Sequence, residues 1–408
     1  PGGSGGDKGP WADPSLGRVG GWAELRAPNH TLVATISVGN PPQELRCLVD
    51  SSSSDVWVPS KRCRSCDNER FFRADRSSTF MPDMVQTPFG LRPKLVRVKY
   101  GEGEIMGFTV KDTLNFGSAQ VRNQTFIIVE ESILPQHRDW DGICGLGWQG
   151  LTTTGRPLYE NVRDHAVFAL IPGLKGGAYM VLGDVPESAY KPGTLAWSKA
   201  ERFDPNTGAP GSEHSFWVTS GGLAIQRPEP VPVRFLVDTA TNQVLLAPPQ
   251  VYGKLMRSLL PSDTFDRLCH RAPSAGDKVF CECSIAQCAD LLPLRIYLGG
   301  RQFVLHIADL FTKVPTQEGE TEMCFLQIQP NTFASPSMQF PLGGLLGGLF
   351  GPSANGGGAQ RPAEWDEPGG SPAAAQYVRS AIQEYDVPAG GQPVPFLHNA
   401  SLGPGAPA

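Results

Sequence analysis

Arg46-Cys47-Leu48-Val49-Asp50-Ser51-Ser52-Ser53-Ser54-Asp55-Val56-Trp57-Val58-Pro59 is the stretch that decides the fold, because its outline returns as Arg234-Phe235-Leu236-Val237-Asp238-Thr239-Ala240-Thr241-Asn242-Gln243-Val244-Leu245-Leu246-Ala247-Pro248. In each copy apolar strand residues run into an aspartate, then small or hydroxylic residues, then a second apolar run ending in proline. The two aspartates lie about one domain length apart, the spacing that duplication of a lobe produces. An Asp closing a buried strand is costly unless nearby donors take up its charge, and the flanking hydroxyls supply such donors. A lone Asp after a strand is usually a turn residue or a cap. Repetition at this spacing favours chemistry instead. If the two turns meet, both carboxylates cannot ionise, and the pair shares one proton.

The rest of the chain fits a two-lobed β protein. At 408 residues with 40% hydrophobic content it exceeds a single core and fills two. Short runs bounded by Gly, Pro or Asn, namely 31–38, Leu95-Val96-Arg97-Val98-Lys99-Tyr100 and 124–129, predict strands joined by tight turns. Helical text is confined to 157–165, 250–260 and 374–383, so the class is all-β with a few short helices. Residues 1–17 are Gly/Pro-rich and predict an unstructured segment. A similar run at about 341–375 reads as a surface insertion.

Charge and cysteine usage narrow the function classes. With a formal net charge of -5 and charged residues at 18%, no basic field exists to hold nucleic acid. No apolar run reaches the roughly 18 residues of a membrane span. The first residue is Pro, with no charged-then-apolar leader after it, so any leader is expected to have been removed or left out. Sequons at Asn29, Asn123 and Asn399, and nine cysteines with the last five between 269 and 324, point to the secretory pathway and a local disulfide framework. Zinc is the competing reading of Cys63-x-x-Cys66 and Cys281-x-Cys283-x4-Cys288, but only Cys269-His270 offers a nearby histidine. The odd total leaves a free thiol, with Cys47 or Cys144, inside apolar runs, read as a buried small hydrophobe.

Several ordered motifs make the chain resemble the pepsin-like aspartic peptidase family from about residue 18 to 386. The first copy is similar to the family's Asp-Thr-Gly-Ser-Ser loop, followed by Trp57-Val58-Pro59-Ser60. Lys99-Tyr100-Gly101-Glu102-Gly103 resembles the flap hairpin, and Trp140-Asp141-Gly142-Ile143-Cys144-Gly145-Leu146-Gly147 the segment that threads behind the first Asp. Tyr179-Met180-Val181-Leu182-Gly183-Asp184, Tyr190 and Leu195-Ala196-Trp197 follow the linking strands.

The resemblance implies a bilobal pepsin-like fold of two β-barrel-like lobes about a cleft. The N-terminal lobe would span 18–195, the C-terminal lobe 196–390 with the insertion, and 391–408 would be a tail. Asp50 and Asp238 would be general base and general acid, supported by Ser51, Ser53, Thr239 and Thr241. Tyr100 and Gly101 would form the flap over substrate, with Trp57 holding Tyr100. Cys63 would pair with Cys66, and Cys324 with Cys281 or Cys283. Cys269 and Cys288 would pair with each other or stay free.

Two departures are plain. Ser52 and Ala240 replace the family's two motif glycines, and the nearest text to the second threading segment is Leu345-Leu346-Gly347-Gly348. A Cβ beside the paired carboxylates is expected to disturb the dyad.

The expected function is therefore an aspartic endopeptidase cutting extended polypeptides by an Asp-activated water, with no cofactor and no metal. The alternative is an impaired or inactive relative that binds peptides or acts as a scaffold. Either form is expected to be a monomer in the secretory pathway, the extracellular space or an acidic or vacuolar lumen.

Overall fold

The computed structural model describes residues 21–330 except 27–30, 101–102, 135–137, 163–166, 173–177, 184, 186, 205–209, 226–229, 242–243, 248–251, 253–254, 257, 273–277, 289–290 and 315–320. The expected N-terminal segment, Gly101, the sequons at Asn29 and Asn399, the second threading segment, the insertion, the helix at 374–383 and the C-terminal tail lie outside the described residues.

Strand Gln43–Asp50 shows why the first motif reads as it does. It ends in four consecutive buried residues, Cys47, Leu48, Val49 and Asp50, where a half-exposed strand would alternate. Both of its edges are occupied, by Val33–Val38 antiparallel on one side and Gly142–Gly145 parallel on the other. Its two faces are covered as well, Cys47 and Val49 by the first core and Leu48 by the cluster around Trp57, and a strand buried on both faces reads as a continuous apolar run there. Gly142–Gly145 also pairs antiparallel with Val56–Pro59, so it threads between the two arms of the motif. At Gly145 a Cβ would lie 2.5 Å from the Ser54 carbonyl carbon, which makes glycine a condition of the threading.

These strands belong to an eleven-stranded sheet, which also contains the long pair Gly103–Phe116 and Ala119–Ser132. Leu95–Tyr100 forms over the run read from sequence, pairing with Gly103–Phe116 from Leu95 opposite Phe108 to Tyr100 opposite Gly103. The predicted strand at 124–129 lies within Ala119–Ser132.

The second copy of the motif repeats the pairing. Val231–Leu236 lies antiparallel to Val218–Ala224, which pairs onward with Leu294–Leu298. Leu245–Ala247 runs parallel to Ile328–Pro330, as Trp57, Val58 and Pro59 run parallel to Ile127, Ile128 and Val129 in the first half. The class is all-β and pepsin-like, and its two largest apolar cores draw on residues 23–182 and 247–328 respectively.

Helices differ from expectation in detail. Of 157–165 only Leu158–Asn161 is helical among described residues, as a single tight turn. The region 250–260 is helical at residues 252, 255, 256, 258 and 259. The helix Ser262–Leu268 was not expected, because its seven residues are too few to show a helical period.

Disulfide pairing corrects the sequence reading. Cys47 and Cys144 are bonded to one another, where a free buried thiol was expected, because the parallel pairing of their strands, with Cys47 opposite Gly142 and Cys144 opposite Val49, makes them diagonal neighbours with Cα atoms 5.7 Å apart. Cys63 pairs with Cys66 and Cys283 with Cys324, as the resemblance implied. Cys269 pairs with Cys281, opposite it across two antiparallel strands, and not with Cys288, which is the free cysteine. Of the sulfurs in the zinc reading, those at 63, 66, 281 and 283 are in disulfides and only that of Cys288 is free.

Candidate active site

Asp50 ends strand Gln43–Asp50 and Asp238 follows strand Val231–Leu236 by two residues, and the two turns are locked together by reciprocal hydrogen bonds. The Ser51 amide donates to Thr239 Oγ1 at 3.0 Å, and the Thr239 amide donates to Ser51 Oγ at 3.0 Å. The hydroxyls then reach across the interface. Ser51 Oγ donates to the Val237 carbonyl at 2.8 Å, and Thr239 Oγ1 to the Val49 carbonyl at 2.7 Å. All four bonds involve residues beside Asp50 and Asp238, so the backbones carrying the carboxylates are fixed to one another rather than merely apposed.

Beneath this crossing runs a second tie. The Leu146 amide donates to the Asp50 carbonyl at 2.7 Å, Trp217 Nε1 donates to the Leu146 carbonyl at 2.7 Å, and the Val237 amide donates to the Trp217 carbonyl at 2.9 Å. Trp217 packs against the first core and against Trp148, with ring centroids 4.4 Å apart. Sequence reading missed Trp217, whose neighbours Phe216 and Val218 make it look like ordinary strand text.

Asp50 is 2% exposed and well supplied with donors. Its Oδ1 accepts from the Ser52 amide and the Ser52 hydroxyl, each at 2.7 Å, and its Oδ2 accepts from Ser53 Oγ at 2.5 Å. Asp238 accepts from the Ala240 amide at 2.9 Å. Its carboxyl is pushed up from 3.8 to about 7, first by burial and then by the charge of Asp50. The amides of Ala240 and Thr241 and the hydroxyl of Ser52 oppose that shift without cancelling it. A carboxyl whose proton affinity is raised beside a second carboxylate can divide with it the labour of base and acid.

Ser52 is the instructive correction. Sequence reasoning treated it as a glycine burdened with a Cβ, yet its hydroxyl is a hydrogen-bond donor to Asp50 and also lies near enough to Asp238 to favour that group's ionised form.

Around this centre sit the flap residues. Trp57, fully buried, donates from Nε1 to the Tyr100 hydroxyl at 2.8 Å. Burial, and after it the charges of Asp50 and Asp55, hold the Tyr100 phenol well above its ordinary value, so it stays neutral. Tyr100→Phe would leave Trp57 Nε1 without this acceptor. An orphaned buried donor costs about 1–3 kcal/mol, and urea unfolding should show a loss in that range.

Asp55, also missed, is 2% exposed and accepts from the hydroxyls of Thr152, Thr153 and Thr154 and from the amides of Thr153 and Thr154. Those partners lie almost a hundred residues along the chain, beyond any local pattern. Asp141 is fully buried and takes Arg46 through its backbone amide at 2.8 Å, its Nε at 3.1 Å and its terminal nitrogen at 2.9 Å. Together they anchor the threading segment to the motif strand.

Among the described residues no group of three or more His, Cys, Asp or Glu side chains is placed to hold a metal ion. No helix among them is long and apolar enough to cross a membrane.

Comparison with known proteins adds an independent observation. Residues 31–342 match the family model described as eukaryotic aspartyl protease. Pepsin A-5 of Mus musculus is 33% identical over 197 residues, covering 45% of this chain and 46% of that protein. A pregnancy-associated glycoprotein of Equus caballus is 37% identical over 174 residues, covering 40% and 42%. Gastricsin of Mus musculus is 28% identical over 266 residues, covering 60% and 62%. The chain spans about half the length of the first of these curated relatives.

Proposed function

Because the chain belongs to the eukaryotic aspartyl protease family, we propose that it is an aspartic endopeptidase in which Asp50 and Asp238 share one proton and activate a water. The observation that carries this reading is the raised proton affinity of Asp238 beside the charge of Asp50, on turns held by the Ser51 and Thr239 crossing. Asp50 takes a proton from the water as its oxygen attacks the peptide carbon, and protonated Asp238 donates to the carbonyl oxygen. The tetrahedral diol then collapses. Asp50 passes the proton it took to the amide nitrogen, and Asp238 takes a hydroxyl proton from the diol as the carbonyl re-forms and the C–N bond breaks. The dyad is left with its single proton on Asp238. Substrate would lie extended across the cleft beneath Tyr100, as an added strand. Four disulfides support an oxidising compartment, the secretory route or a lumen reached by it.

A second reading, a peptide-binding protein without turnover, is favoured by the Ser52 hydroxyl, which occupies an acceptor site on Asp50 that the water needs. One assay separates the two. Unfolded casein is incubated between pH 3 and 7, with and without a statine-type mimic of the tetrahedral intermediate, alongside Asp50→Asn. Inhibitor-sensitive cleavage that Asp50→Asn abolishes supports the enzyme, and its absence at every pH, with the mimic still bound, supports the binding protein. Ser52→Gly removes the competing hydroxyl and should raise kcat about tenfold or more, given that a misplacement of about 1 Å can cost a hundredfold. An unchanged kcat would mean that the water and the hydroxyl do not compete.

A further inference from the structure

The flap strand continues outward into a small hairpin that neither the fold nor the site uses. Strands Met84–Thr87 and Gly90–Pro93 pair only with each other, as a two-stranded sheet. Six of their eight residues are exposed and the other two, Thr87 and Gly90, sit at the turn. An isolated two-stranded hairpin is marginal in water, and one displaying apolar groups on both faces lacks the packing that usually sustains it.

Its apolar content is high and its tip is built. Phe89 is 84% exposed and Leu91 63%, with Met84, Val85 and Leu95 exposed beside them. Thr87 Oγ1 donates to the Gly90 carbonyl at 2.7 Å and accepts from the Phe89 amide at 3.2 Å, which fixes the turn with Phe89 at its outermost point. Gly90 takes φ +94, with open space where a Cβ would stand. The exposure of Phe89 is thus a consequence of a hydrogen-bonded turn and not of a slack loop.

Charge selects among partners. Between Met84 and Tyr100 the sequence carries Arg92, Lys94, Arg97 and Lys99 and no Asp or Glu, in a chain whose formal net charge is -5. Glu104 on the adjoining strand pairs with Arg97 at 3.6 Å, though Arg97 stays more than half exposed, and Lys94 Nζ donates to the Thr153 carbonyl at 3.1 Å. Along Leu95–Tyr100, residues Leu95, Arg97 and Lys99 face outward while Val96, Val98 and Tyr100 pack against the core around Trp57. The outer face of the flap therefore continues the cationic, apolar surface of the hairpin.

We propose that this hairpin docks on an anionic lipid surface, inserting Phe89 and Leu91 at the headgroup boundary while Arg92, Arg97 and Lys99 meet the lipid charge. Apolar side chains projecting from a cationic rim are what interfacial binding requires, and neither contribution alone gives stable association. An acidic protein partner would meet the same cations and seat Phe89 in a pocket, and flotation with lipid alone separates the two. Docking would place the outward face of Leu95–Tyr100 within the contact.

Flotation of the full chain with phosphatidylcholine vesicles containing about one fifth phosphatidylserine tests this. The protein should float with these vesicles, stay behind with phosphatidylcholine alone, and be released at high salt, where the Debye length shrinks to about 3 Å. Phe89→Ser/Leu91→Ser and Arg92→Gln/Arg97→Gln should each lower the bound fraction at least tenfold with unchanged thermal unfolding. No flotation, or flotation that either pair leaves undiminished, overturns the proposal. So does self-association in sedimentation velocity that Phe89→Ser/Leu91→Ser abolishes in the absence of lipid binding, since the patch is then an interface between copies.

Discussion

Asp238→Asn is expected to lower kcat on a peptide substrate by at least about a thousandfold, because groups acting as one catalytic unit cannot be removed singly at modest cost. Asparagine is nearly isosteric and keeps an acceptor for the Ala240 amide, so the loss measures the missing proton and not a collapsed site. The same variant carries a thermodynamic signature. Asp238 titrates at about 7 when folded, against 3.8 for its unperturbed value. Between those pH values the unfolded chain has released a proton that the folded protein still holds, so folding stability falls as pH rises from about 4 to about 7, then levels off. Asn removes that slope, and thermal unfolding followed across this range should show it. Wild-type hydrolysis should fade over the upper end of the same window, as Asp238 loses the proton it donates. Activity persisting unchanged at pH 8 would refute the assigned acid.

The second large effect is structural. Thr239→Val keeps the shape of the side chain and removes its hydroxyl, which leaves the Ser51 amide without its acceptor and the Val49 carbonyl without its donor. Two orphaned buried backbone groups, at about 1–3 kcal/mol each, predict a loss of about 2–6 kcal/mol in urea unfolding. Thr239→Ser retains the bonds and should lose about 1 kcal/mol or less. Activity should fall with Thr239→Val even at temperatures where the protein stays folded, because the turn holding Asp238 is no longer tied to the turn holding Asp50.

Much of the fold was readable because burial leaves a direct imprint on local text. Strand Gln43–Asp50 closes on the apolar run Cys47-Leu48-Val49, buried on both faces, and the one-sided strand Leu95–Tyr100 alternates. The two aspartates stood out because each interrupts such a run at a matching place. What stayed hidden depends on contacts between distant segments. Cys47 and Cys144 look like core residues in separate strands until the parallel pairing of those strands is known. Asp55 resembles a turn residue until three consecutive threonines, far along the chain, close around it. Ser52 was visible, but steric reasoning saw only its extra carbon. Its hydroxyl matters because Asp50 is within reach, and that is a property of the folded turn.

The crossing of Ser51 and Thr239 separates two histories that the primary structure alone would merge. Those hydroxyls serve the union of the halves, so a descendant that had ceased to cut would still be penalised for losing either one. Their presence in this chain therefore answers a demand of assembly, whereas loss of turnover alone would permit exchange of Asp50 or Asp238 for uncharged residues of similar size.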